Sequence, residues 1–278
     1  MKIKEVLEYG KNNLIEKEEG LRLSKMLLKY LLNVNDSYLI INSDKELELF
    51  VEEKFKESIE LLKKGIPLQY ITNTQEFMGL SFFVDSNVLI PQPDTEILVE
   101  EVLDLLKKDS NKKSVLDLCT GSGAIGISIA KYSESSVTMS DISKNALEIA
   151  KKNATNNEVI DKCNFILSDM FENIDSKFDI IVSNPPYIKT EVINTLDVEV
   201  QNEPMLALNG GADGLNFYRI ITENSYKHLN NDGILALEIG YDQKEEVIKL
   251  LEETGKYTDI YYKKDLGNND RIVVCKLK

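Results

Sequence analysis

"VLDLCTGSGAIGISIA", residues 115–130, begins as an apolar run of strand length, passes through a glycine-rich turn and continues at helical spacing. Gly121, Gly123 and Gly126 match G-x-G-x-x-G, and Asp141 closes the next apolar run about twenty residues on. Small residues at such a turn let a ligand approach the backbone. An acid at the end of the neighbouring strand can accept ribose hydroxyls, and a charge-assisted hydrogen bond of that kind is worth about 1.5–3 kcal/mol.

Outward from this turn, the chain after Pro91 alternates between strand-like and helix-like segments. Apolar, β-rich runs occur at "SVLDLC", "SVTMSD", "CNFILSD", "FDIIVSN", "GILALEI", "YTDIYY" and "RIVVCKL". Most of the first six are spaced widely enough for intervening helices, the pattern of a parallel sheet covered on both faces. Only "KKDLGNND" separates the last two, too short for a parallel crossover, so they pair as an antiparallel hairpin near one edge. Toward the N-terminus, "LRLSKMLLKYLL" and "LELFVEEKFKESIELLKK" carry apolar residues at helical spacing, which predicts a small helical bundle. Asn42, Ser43 and Asp44 are expected to start its last long helix, and Gly65 with Pro67 to stop it. "EFMGLSFFVDSNVLIP" reads as a hairpin joining the two parts. The expected organisation is a helical domain over 1–72, a hairpin linker over 73–91 and an α/β domain over 92–278.

Composition narrows the chemistry. The 278 residues carry a net charge of −14, which weighs against a sequence-independent grip on duplex nucleic acid. Cys119, Cys163 and Cys275 are an odd, widely spaced set without a Cys-x-x-Cys pair, so neither a disulfide framework nor a metal site is indicated, and a reducing cytoplasm fits. The single histidine, His228, cannot build a triad. No stretch reaches the roughly 20 apolar residues of a membrane span, and the first residues lack a signal-peptide core.

"SNPPYI", residues 183–188, ends the fourth run. Two prolines remove two backbone donors and fix two φ angles, so neither helix nor central strand continues through Pro185 and Pro186. The turn offers the Asn184 amide, stiffly held carbonyls and the ring of Tyr187 at the same rim as the glycine-rich turn. The glycine spacing admits either a nicotinamide dinucleotide or S-adenosylmethionine (SAM), since both carry an adenosine ribose. Asp117 tilts the choice toward SAM, because an acid there can meet the ammonium of a methionine moiety. A planar amide or exocyclic amine whose hydrogens are held by Asn184 and the Pro185 carbonyl would face the sulfonium methyl, with no histidine or paired carboxylate required.

"DLCTGSG" and "SNPPYI" together resemble the SAM-dependent N-methyltransferases of amides and exocyclic amines. "GIPLQYITNTQEFMGLSFFVDSNVLIPQPDTE", "NEPMLALNGGADGLNFYRII", "LEIGYDQ" and "DLGNNDRIVV" extend the likeness, from about Gly65 to the C-terminus, to the HemK/PrmC family of protein-(glutamine-N5) methyltransferases acting on peptide chain release factors. The resemblance implies a seven-stranded Rossmann-like methyltransferase sheet behind a helical domain that docks the release factor. It also implies methyl transfer to the glutamine of a Gly-Gly-Gln motif; the chain is expected to be a cytoplasmic monomer that binds neither nucleic acid directly nor a membrane. By position, Cys119, Thr120, Gly121, Ser122 and Gly123 would line the methionine and ribose portion of SAM. Asp141 would bind the ribose hydroxyls, and Asp169 and Met170 would flank the adenine. Asn184, Pro185, Pro186 and Tyr187 would hold the glutamine, with Asn184 also bordering SAM and the Tyr187 ring covering the amide face. Phe77 and Glu96 belong to segments expected near the same crevice. Cys119 replaces a usual glycine, Gln92 stands where arginine is frequent and Asn73 where glycine is common.

Four other readings share some of these signals, among them a nicotinamide oxidoreductase, which predicts thermal stabilisation by NAD rather than SAM. Nucleic-acid adenine or guanine N-methyltransferases also present Asn-Pro-Pro-Tyr to a flipped base, and a sister activity on a ribosomal-protein glutamine uses the same motifs. A non-catalytic SAM-binding module would retain full biological activity after loss of Asn184.

Overall fold

The computed structural model describes residues 1–14, 17–109 and 113–278, which form two compact units. The first comprises Met1–Asn73 together with Asp197–Asn202. Its helices span Ile3–Asn13, Lys17–Leu32, Asp36–Ile41, Leu49–Lys63 and Leu68–Thr72. Their apolar stripes meet in a core that buries Ile3, Val6, Leu27, Leu28, Phe55 and Ile59. The long fourth helix begins after Glu48, later than the polar trio 42–44 suggests. The working N-cap in this region is Asn35, whose side chain accepts the Tyr38 N–H at 3.0 Å. Residues 42–44 instead form the turn between helices, where the Ser43 carbonyl accepts the Lys4 N–H.

The second unit holds Thr74–Leu196 and Glu203–Lys278. A short hairpin, β1 (Gln75–Phe77) and β2 (Leu80–Phe82), opens it. Read from sequence as a joining segment, this hairpin is built into the second unit: Phe77 and Phe82 are fully buried in its core and meet edge to face at 6.1 Å. The main sheet comprises β3 (Ser114–Leu118), β4 (Ser136–Asp141), β5 (Cys163–Leu167), β6 (Phe178–Ser183), β7 (Leu229–Glu238), β8 (Tyr257–Lys264) and β9 (Asp270–Leu277). Its order is β5-β4-β3-β6-β7-β9-β8. The first five run parallel, and β9 is antiparallel to both neighbours, so the expected terminal hairpin is present.

Alternate residues of the central strands enter two separate cores. Val115, Val137, Ile180 and Val182 pack on one face with helices Glu96–Lys108 and Ala124–Tyr132. Leu116, Leu118, Ile181, Leu235 and Leu237 pack on the other with helices Asn216–Asn224 and Lys244–Thr254. Burial on both faces explains why these strands read as continuous apolar runs, with each large side chain contributing roughly 1.5–3 kcal/mol. The chain reverses its direction of sheet growth between β3 and β6, which are neighbours. Beyond their carboxyl ends lies the crevice where open α/β sheets bind ligands.

Candidate active site

A cavity of about 260 Å³ occupies that crevice within the second unit. Its floor is the turn that follows β3. Gly126 lets helix Ala124–Tyr132 pack directly on the sheet: a Cβ there would lie 2.9 Å from both an Asp117 carboxylate oxygen and the Met139 side chain. Asp117 is fully buried and ties the turn together, accepting the Thr120 hydroxyl at 2.5 Å and the Gly126 N–H at 2.9 Å. Burial pushes its carboxyl up to about 7 against those two bonds, and the charge of Asp141 adds to the rise. Asp117 does not line the cavity. The sequence reading that offers it an ammonium is therefore replaced by a role behind the turn.

Cys119, Thr120, Gly121 and Ser122 line the cavity, whereas Gly123 lies outside the lining as the first residue before the helix. Cys119 sits at φ +62°, in the left-handed region. The departure from glycine therefore carries backbone strain as well as the modest change in volume that its size suggests, of order 1–2 kcal/mol for an L-residue. Desolvation raises its thiol far above the usual value, so it is a neutral wall rather than a nucleophile.

Asp141 ends β4 at the cavity edge. One of its oxygens accepts the Gly121 N–H at 2.9 Å and the other the Ser143 N–H at 2.8 Å. An ionised carboxylate has about four acceptor positions, so the pair of bonds fixes the group and leaves capacity for a diol. Asp169 and Met170 line the cavity beyond it, in a turn held by the Ser168 hydroxyl donating to the Met170 carbonyl at 2.9 Å. A Cβ at Gly121 would meet nothing within 4 Å, so the backbone there is open to a close-lying ligand. An acid for a ribose, an open backbone at Gly121 and a thioether wall suit the adenosine and methionine parts of SAM.

Asn184 and Pro186 line the opposite side. The Asn184 side-chain N–H donates to the Thr95 hydroxyl oxygen at 3.4 Å, which turns its carbonyl oxygen away from Thr95. Pro185 is buried and outside the lining. Tyr187 likewise lies off the lining: its ring packs into the core that contains Tyr218 and Leu237, and its phenol is held above its usual value by burial and by Glu238. The flat wall expected of Tyr187 is not at the cavity surface. Phe77 and Gln92 line the cavity, while Glu96 does not, its carboxylate accepting the Met78 N–H at 2.6 Å.

Several contributors lack a local sequence signal. Gln243 donates to the Tyr187 carbonyl at 3.0 Å and to that of Gly214 at 3.3 Å, pinning the turn from behind. The Ile188 N–H donates to Leu208 and the Gly210 N–H to Ile188, at 2.9 and 2.8 Å. A Cβ at Gly210 would fall 2.7 Å from the Tyr187 Cα, so only glycine allows this approach. Glu203 accepts the Ile90 N–H at 2.8 Å and thereby anchors the segment containing Val88, Pro91 and Gln92, all of which line the cavity. Burial pushes the Glu203 carboxyl up to about 7. His228 stacks on Phe171 at 4.9 Å and serves packing.

Residues 5–72 match the family model described as PrmC N-terminal domain, and residues 93–203 match Methyltransferase small domain. Over 282 residues the chain is 43% identical to the release factor glutamine methyltransferase of Clostridium acetobutylicum, covering 99% of this chain and 98% of that one. The chain belongs to the release factor glutamine methyltransferase family. A second protein with that name, from Aquifex aeolicus, is 35% identical over 278 residues, covering 99% and 96% of the two chains. A methyltransferase structure from Pyrococcus furiosus shares the fold, with a TM-score of 0.53 at 18% identity over 80% of this chain and 98% of that one. Membership of the release factor glutamine methyltransferase family thus extends over both units. Among the described residues no helix is long and apolar enough to cross a membrane.

Proposed function

We propose that this chain transfers a methyl group from SAM to the side-chain amide nitrogen of a release factor glutamine, the one in its Gly-Gly-Gln motif. The observation that carries the reading is that Asp141 and Asn184 line one cavity, so a ribose acid and an amide-binding group share a single crevice. Bound SAM supplies an electrophilic methyl on a sulfonium sulfur. Asp141 holds the ribose, Cys119 to Ser122 border the methionine and ribose portion and Asp169 and Met170 border the adenine. The Asn184 carbonyl oxygen, at the cavity surface, accepts an N–H of the incoming glutamine, while Pro185, off the lining, stiffens the turn that carries it. Held this way, the nitrogen would be presented to the sulfonium methyl and spared the orientational entropy of encounter. An acceptor on its hydrogen would also favour the positive charge that develops as it attacks. As the N–C bond formed, the methyl–sulfur bond would break, S-adenosylhomocysteine would leave as a neutral thioether and the amide proton would pass to water.

The helical segment 1–72 is the docking element for the release factor in this reading. With a chain charge of −14, association with a basic factor surface weakens as salt rises. The test supplies isotopically labelled SAM with a purified release factor, a large-subunit ribosomal protein and RNA as separate acceptors. Label on the release factor alone is expected. Label on the ribosomal protein or RNA instead would overturn the substrate assignment.

A further inference from the structure

The mechanism above leaves a buried acid beside the site unused. Glu238 ends β7, one residue past the Ser183–Leu237 pair of the β6–β7 register, and so flanks Asn184. It is 2% exposed, and its Oε2 has no hydrogen-bond partner among the described residues. Burial disfavours its charged form most strongly, and against it the side-chain hydroxyls of Thr95 and Tyr187 bear on the carboxyl and favour that form. Arg271 on β9 does the same, while Asp94 opposes it. Arg271 is itself neutralised by Asp265 at 2.9 Å and Asp94 at 3.1 Å. From helix Asn216–Asn224, the Tyr218 hydroxyl donates to the Glu238 backbone carbonyl at 2.9 Å.

Thr95 therefore stands between Glu238 and Asn184. An ionised carboxylate only accepts hydrogen bonds, so it draws the Thr95 hydrogen toward itself. That leaves the Thr95 oxygen to accept the Asn184 N–H and turns the Asn184 oxygen toward the cavity. A protonated Glu238 can donate to Thr95 instead, which frees the Thr95 hydrogen for the Asn184 oxygen and favours the reversed amide. We propose that Glu238 is a positioning residue for methyl transfer, setting through the Thr95 hydroxyl which end of the Asn184 amide faces the substrate. The inference rests on the role given to Asn184 under the proposed function.

Burial pushes the Glu238 carboxyl up to about 7, so this polarity reverses close to neutral pH. In the whole protein, the Asn184 side-chain amide resonances, identified by their loss in Asn184→Ala, should shift with pH with a midpoint near 7. The midpoint should vanish in Glu238→Gln and persist in Thr95→Ser, which keeps the hydroxyl. With saturating SAM, kcat should fall about tenfold per pH unit below that midpoint, with little change in KM for SAM, and Glu238→Gln should flatten this limb. Resonances that ignore pH, or move equally in Glu238→Gln, overturn the proposal; the titration of the unaltered chain decides it even if that variant fails to fold. Coupling in the spectrum without an acid limb in kcat supports the relay and overturns the role of Asn184 in the transfer.

Discussion

Replacing Asn184 with alanine should lower kcat about 100-fold, and the figure follows from what the side chain touches. Among the described residues its side chain makes one hydrogen bond, the long one to Thr95 at 3.4 Å, so truncation removes little folding stability. A neutral hydrogen bond is worth about 1 kcal/mol and a charge-assisted one about 1.5–3 kcal/mol. As the glutamine nitrogen gains positive charge, its bond to the Asn184 oxygen moves from the first class toward the second. Loss of that gain, together with the looser alignment of the nitrogen, costs about 2.7 kcal/mol of barrier, or 100-fold at 1.36 kcal/mol per decade. SAM should still bind, because Asp141 and the glycine-rich turn are untouched. The assay is steady-state methylation of a release factor with SAM varied, beside a thermal melt. A kcat within twofold of the unaltered enzyme, or a loss confined to KM for SAM, would remove Asn184 from the transfer step.

Other consequences follow from the same geometry. Asp141→Ala removes the ribose acceptor and should weaken SAM binding about 10- to 100-fold, the equivalent of one charge-assisted hydrogen bond, as read by calorimetry; unchanged affinity would remove Asp141 from the SAM site. Gly126→Ala forces a methyl against Asp117 and Met139 at 2.9 Å and should destabilise the fold by about 1–3 kcal/mol, seen as a lowered denaturation midpoint. Asp117, Glu203 and Glu238 are all raised to about 7 by burial. The folded state therefore binds more protons than the unfolded one between their unfolded values and about 7, so stability should fall as pH rises through that window. His228, lowered by burial, acts the other way as pH drops below its usual value. Denaturant titrations from acid to alkaline pH check the sign, and Glu238→Gln should make the decline shallower.

The sheet was legible because its central strands are buried on both faces and so stand out as unbroken apolar runs, and because "KKDLGNND" is too short for anything but a hairpin. Gly126 and the prolines of "SNPPYI" were legible for a different reason: few residue types suit a helix lying on a strand or a chain that must stop and turn. What could not be read is what the sheet register brings together. Nothing near Glu238 announces that it lies beside Asn184, and Thr95 joins them from a segment far from both in the chain. Gln243 and Gly210 act on the backbone of Tyr187, and backbone contacts leave no pattern of side-chain types. The Tyr187 ring was misplaced because an aromatic residue beside a ligand turn looks the same whether it faces the ligand or the core. Likewise, the hairpin 75–82 is patterned like a connector, and only the burial of Phe77 and Phe82 shows which unit owns it.

In this mechanism the amide held by Asn184 belongs to a release factor glutamine. Its most direct test incubates the purified chain with SAM and a release factor, then locates any added methyl by peptide mass spectrometry. One methyl group is expected on the glutamine of the Gly-Gly-Gln peptide, absent when Asn184→Ala replaces the unaltered chain over the same short incubation. An unmodified peptide despite demonstrated SAM binding, or a methyl on another residue, would contradict it.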